Sequence, residues 1–136
     1  MAKSFNSANS KFQKNQSVDP AIASLRIPPH SIEAEQSVLG GLLLDNAAFD
    51  KIADLVGEDD FYRDEHKRIF RQIRKLLERS KPVDVITVAE SLDSAGEGSD
   101  TGGLAYLGEL AANTPSAANI RRYAEIVRER AILRQL

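Results

Sequence analysis

An all-α fold, organised as a compact six-helix domain, is what this sequence predicts, and three observations predict it. After Pro28-Pro29, apolar residues recur at three- and four-residue spacing in segment after segment. A residue suited to capping a helix N-terminus stands at the head of each: Ser31, Asp45-Asn46, Asp64, Asp84, Thr101 and the stretch Ser116 to Asn119. No two alternating runs form a convincing strand pair. With 136 residues, 42% of them apolar, the chain can build one core, burying on the order of 70% of its unfolded surface.

In order, the first helix follows Ser31, with Glu33 and Glu35 in the first turn, where carboxylates oppose the positive end of the helix dipole. Ile32, Gln36, Leu39 and Leu43 share one face. Gly40-Gly41 interrupts it at about 1 kcal/mol per glycine, which predicts close helix packing. Asp45-Asn46 starts the second, with Phe49, Ile52, Ala53 and Val56 as its stripe and Gly57 as its stop. The third has the clearest pattern, with Ile69, Phe70, Ile73, Leu76 and Leu77 on one side and Lys67, Arg68, Arg71, Arg74, Lys75 and Arg79 on the other.

Residues 82–92 are rich in β-branched side chains. Asp84 as a cap, with Val85, Val88, Ala89 and Leu92 at helical spacing, makes them the fourth helix. A glycine-rich loop follows, and Thr101 caps the fifth, with Leu104, Leu107 and Ala111 on one face and Tyr106 and Leu110 on another. Asn113-Thr114-Pro115 ends it. The sixth carries Ile120, Tyr123, Ala124, Val127 and Ala131 as its main stripe and Ile126 and Leu133 as a second. Two apolar stripes call for two packing partners.

Residues 1–26 read as a flexible tail, with four Lys/Arg against Asp19 and nine Ser, Asn or Gln in the first 17 positions. Absence of cysteine excludes disulfides, a thiol nucleophile and Cys-containing zinc sites. The longest run without a polar side chain, Val38 to Leu44, is far short of the roughly 20 residues that cross a bilayer. With no apolar leader either, a cytoplasmic protein is expected.

A search for chemistry finds no catalytic constellation. None of the eight glycines is followed by lysine, so the phosphate-cradling P-loop is missing from these residues. Gly96, Gly98, Gly102 and Gly103 lack dinucleotide spacing. His66, beside Asp64 and Glu65, suits an ion pair or a surface position better than a metal site. Asp59-Asp60 fits turn capping, and neither Ser31 nor Ser91 has a nucleophile motif. The basic face bearing Arg68, Arg71, Arg74 and Lys75 could track phosphates. The net charge of −2, and six acids with no Lys/Arg from Pro82 to Ile120, favour protein partners over DNA.

Four segments, IPPHSIEAEQSVLGGLLLDN, DDFYRDEHKRIF, PVDVITVAESL and GGLAYLGELAANTPSAANIRRYAEIVRER, resemble the N-terminal domain of the bacterial replicative DNA helicases of the DnaB family, from about Ile27 to the C-terminus. The resemblance implies a head over 27–100 and a helical hairpin over 101–136 that leads into an interdomain linker. It further implies hairpins that pair between subunits, a trimer-of-dimers collar on a hexameric ring, and recruitment of primase and of a helicase loader. ATP, magnesium and DNA would engage chiefly a motor domain beyond Leu136, leaving this part non-catalytic and without a cofactor. The expected oligomer and partner contacts are Tyr106, Leu110, Ile126 and Leu133. Tyr106 and Leu110 would form an exposed pair flanked by Glu109 and close to Arg121, Arg122 and Arg128.

Overall fold

The computed structural model describes residues 27–136, so the tail predicted over 1–26 lies outside the described residues. Ser31 caps helix α1 (Ile32–Leu44), its hydroxyl accepting from the Ala34 amide at 3.2 Å. This helix is the axis of the fold, with Val38, Leu39 and Leu42 fully buried. Its glycine pair lies where two later helices press against it. A Cβ on Gly40 would stand 2.0 Å from the Thr114 hydroxyl oxygen and 2.6 Å from the Leu110 carbonyl; one on Gly41 would stand 3.1 Å from Ile120 Cδ1.

The second expected helix is a 3₁₀ helix, Asn46–Lys51, followed by separate turns. Asp45 caps it, and Ala48, Ile52 and Val56 point inward, close to the predicted stripe. The tighter winding has a tertiary cause. The Asn46 amide donates to the carbonyls of Leu42 (3.1 Å) and Val83 (2.8 Å) and accepts from the Val83 amide (2.9 Å), which pins the segment at its first residue. A 3₁₀ turn at Glu58–Asp60 then leads to α2 (Asp64–Glu78). Asp64 is not the cap. It lies in the first turn and pairs with Arg68 at 2.8 Å.

Helix α3 (Val85–Ser94) forms as predicted despite its β-branched residues. Asp84 accepts from the Thr87 amide at 2.8 Å while Thr87 Oγ1 accepts from the Asp84 amide at 2.9 Å, a reciprocal capping box. After a 3₁₀ turn at Ser99–Thr101 comes α4 (Gly103–Asn113). Thr101 does not cap it, because its buried hydroxyl donates to the Glu97 carbonyl at 2.9 Å. The N-cap is Gly102, in the left-handed region at φ 85°, where a Cβ would come within 2.6 Å of Tyr106 Cβ. Helix α5 (Ile120–Arg134) buries Ile120, Ala124, Val127 and Ala131 of the stripe read from the sequence, and Tyr123 of that stripe is half-buried.

Every regular element among the described residues is helical, with five α-helices and three 3₁₀ segments, so the all-α prediction holds. α1 packs against both α4 and α5, α3 packs on α2 and α4, and the Glu58–Asp60 turn touches α2 and α5. The hairpin expected over 101–136 does not stand apart from a head over 27–100. Leu107 and Leu110 of α4 and Ile120 and Val127 of α5 join the same cluster as Val38, Ile69, Phe70 and Val88. The physical reason is α1, which is apolar around enough of its circumference to bury a stripe from each. The end of α5 is also tied down: Arg134 donates to the carbonyls of Pro29 (2.8 Å) and Asp60 (2.7 Å), and Arg128 pairs with Asp60 at 2.9 Å.

Candidate functional site

The centre of polar chemistry is a buried chain of hydrogen bonds linking α1, α2 and α4. Glu35, 1% exposed, lies on α1 one helical turn before Val38 and Leu39, so the winding that buries those leucine-rich turns buries it too. Its carboxylate accepts from the amides of Tyr62 (2.6 Å) and Arg63 (3.4 Å), and so supplies the capping charge that Asp64 does not. His66, fully buried, sits on the α2 stripe with Ile69, Phe70 and Ile73. Its Nδ1 lies 2.7 Å from Glu35 Oε1, and its Nε2 lies 2.6 Å from the Tyr106 hydroxyl. Gln36 Nε2 donates to the same hydroxyl at 3.2 Å.

One assignment gives every group a partner. A carboxylate only accepts, so Nδ1–H donates to Glu35. The remaining nitrogen then accepts the Tyr106 O–H, and the tyrosine oxygen accepts from Gln36. Burial pushes the Tyr106 phenol above its ordinary value, by more than the Gln36 bond and the charge of Arg63 pull it down, which keeps its proton available for donation. The rings of His66 and Tyr106 are nearly parallel, at 8°. Glu35 and His66 at its centre are buried from solvent, and it reads as a lock between three helices. Sequence reasoning missed it. The available signal was phase: Glu35 and His66 each fall in register with the apolar stripe of their helix.

Tyr106 also forms one wall of a half-open cleft of about 210 Å³ between α1 and α4, shared with Glu33, Gln36, Glu109 and Asn113. The expected exposed Tyr106/Leu110 pair is therefore corrected. Leu110 is 3% exposed and belongs to the core, and Tyr106 is half-buried with its hydroxyl committed to His66. Of the second stripe on α5, Ile126 packs half-buried against the core, while Leu133 is 48% exposed next to Ile132. The arginines expected nearby do not line the cleft. Arg128 pairs with Asp60, and Arg121 donates to the Lys51 carbonyl at 2.6 Å, on the side of the early 3₁₀ segments.

The basic face of α2 is largely neutralised. Arg68 meets Asp64 and Asp100 (2.8 and 3.3 Å), Arg71 meets Glu58 and Glu97 (2.8 and 3.5 Å), and Arg74 meets Glu58 and Glu78 (2.8 and 3.3 Å). Only Lys75 of the four expected phosphate contacts is left without a carboxylate among the described residues. Binding DNA there would first break those pairs, so the geometry does not favour the nucleic-acid reading. No group of three or more potential metal ligands occurs among the described residues.

A family model described as the DnaB-like helicase N terminal domain matches residues 27–129. The chain belongs to this family. The replicative DNA helicase DnaB of Haemophilus influenzae is 50% identical over 121 residues, which is 89% of this chain and 26% of that protein. DnaB of Geobacillus stearothermophilus is 45% identical over 113 residues, 83% of this chain and 25% of that one. The chain thus spans about a quarter of the length of these relatives, and the family model it matches is that of the non-motor N-terminal domain. Among solved structures, the N-terminal domain of DnaB helicase from Mycobacterium tuberculosis is 43% identical with a TM-score of 0.79, covering 81% of this chain and 76% of that one. The N-terminal domain of DnaB helicase from Helicobacter pylori, described together with its interactions with primase, shares the fold at 21% identity and a TM-score of 0.63, over 87% and 89% of the two chains.

Proposed function

We propose that this DnaB-type N-terminal domain is a non-catalytic collar element of a replicative helicase, acting in the cytoplasm. In this reading it assembles with copies of itself as a trimer of dimers within a hexameric ring and recruits primase during DNA replication. Family membership across residues 27–129 carries the reading. The primase interaction of the Helicobacter pylori relative supports the choice of partner. Within the chain, the surface best suited to primase is the α1–α4 cleft, where Tyr106 offers an aromatic wall and Glu33 and Glu109 a charged rim. Self-association would use the exposed Leu133 and Ile132 at the end of α5, with Ile126 half-buried beside them. ATP, magnesium and DNA would engage chiefly other parts of the helicase, while a helicase loader is a further partner of this domain.

Titration of the cognate primase C-terminal domain into isotope-labelled chain is expected to move the amides of Gln36, Tyr106, Glu109 and Asn113. Shifts confined to α2 and α3 would place primase elsewhere. In parallel, Leu133→Asp is expected to lower the mass seen by light scattering at high concentration. An unchanged mass at every concentration would remove α5 from the interface.

A further inference from the structure

Beyond the ion pairs of α2, the charge is arranged differently. Lys75 and Arg79, four residues apart on one helical face, and Lys81 are all exposed, and none pairs with a carboxylate among the described residues. Arg79 and Lys81 border a second groove, of about 450 Å³, between the C-terminal end of α2 and α3. Arg79 and Lys81 stand on its rim, Leu76 and Pro82 supply apolar surface, Thr87 and Ser91 contribute hydroxyls, and Glu90 is its one acid. Its lining shares no residue with the cleft at Tyr106.

The turn that sets this rim is strained. Ser80 has φ 57°, with its amide donating to the Leu77 carbonyl and the Lys81 amide to the Leu76 carbonyl, both at 2.9 Å. That is a Schellman ending, whose left-handed position ordinarily takes glycine. A side-chain-bearing residue in this conformation is held by its surroundings at a cost, a pattern that clusters at ligand-gripping sites. Here it keeps Arg79 and Lys81 on the same groove.

We propose that this groove docks an acidic segment of a partner protein, with an apolar side chain of the segment covering Leu76 and Pro82 and its carboxylates meeting Arg79, Lys81 and Lys75. Charge selects the occupant. Residues 1–26 carry four Lys/Arg against one acid, the same sign as the rim, and so are repelled. A nucleic-acid strand would gain only three cations and would leave the apolar surface of Leu76 and Pro82 uncovered.

The test is an NMR titration of the full chain at low salt with three probes: a synthetic peptide of glutamate and leucine, its lysine-for-glutamate counterpart, and a short oligothymidylate. The acidic peptide is expected to shift the amides of Leu76, Arg79, Lys81 and Thr87, and the basic one to leave them unmoved. Arg79→Glu with Lys81→Glu, both at exposed positions, should weaken binding by about tenfold or more with the melting temperature unchanged. Absence of shifts at the groove, or binding that survives the double reversal, overturns the proposal. Stronger shifts with oligothymidylate would make this a nucleic-acid surface instead.

Discussion

Tyr106 shows how much one hydroxyl can hold. Among the described residues it is the only hydrogen-bonding partner of His66 Nε2, and it ties α4 to a carboxylate that itself caps α2. Tyr106→Phe keeps the ring, and therefore the packing, but leaves a buried nitrogen unsatisfied. The expected cost is about 1–3 kcal/mol, read as a lower urea midpoint with an unchanged slope. A midpoint equal to that of the parent would mean that water replaces the hydroxyl and that the relay contributes nothing. At this scale the sequence was least legible. Tyr106 was visible as a helix-face aromatic, yet its partners, Gln36 and His66, lie 70 and 40 residues away, and no local spacing announces them.

Among the elements, α1 governs the assembly, and its glycine pair governs α1. In isolation Gly40→Ala should favour the helix by about 1 kcal/mol. Here the added methyl would run into the Thr114 hydroxyl and the Leu110 carbonyl, so α4 must retreat along its whole contact. Overpacking of this kind costs about 1–3 kcal/mol and should prevail. Gly108→Ala in α4, where a Cβ meets nothing within 4 Å, lacks that opposition and should stabilise by up to about 1 kcal/mol. Thermal melts of the two variants are expected to move in opposite directions. If both rise, the α1–α4 contact has room for the added methyl and Gly40 is not a packing requirement. The reading of Gly40-Gly41 as a packing device came from the sequence alone, because two glycines inside an amphipathic run have few other uses. The 3₁₀ form of the segment after Asp45 could not be read that way, since it depends on Asn46 reaching Val83.

At the scale of the whole molecule, charge stitches elements that the core does not. Burial alone would raise the Glu58 carboxyl. Hydrogen bonds and charges from Arg71 and Arg74 outweigh that and hold it below its ordinary value of 4.5. Glu65 is held low chiefly by its hydrogen bond with Arg63, against the opposing effect of burial. A carboxylate with a depressed folded-state pKa contributes stability that is present above 4.5 and is lost as pH falls through the folded value. Stability from urea titrations is therefore expected to decline below about pH 4.5. Glu58→Gln should lower the plateau and flatten the decline. Parallel curves for parent and variant would show that this pair of arginines leaves folding unaffected.

The all-α class, the start of α1 at Ser31, the capping box at Asp84 and the inward stripe of α5 were all set by local sequence. Each depends on interactions within about one or two helical turns, where spacing and capping chemistry decide the outcome. So did membership of the helicase family, through long ungapped segments. Tertiary structure alone decided the rest. It placed Glu35 where Asp64 was expected to cap, drew Leu110 and half of Tyr106 inside, spent the arginines of α2 on Glu58, Glu78 and Glu97, and left Lys75, Arg79 and Lys81 without a carboxylate among the described residues. The reason is the same in each case. A side chain's partner across the fold is set by how helices pack, and a periodic pattern specifies which face is buried without specifying against what.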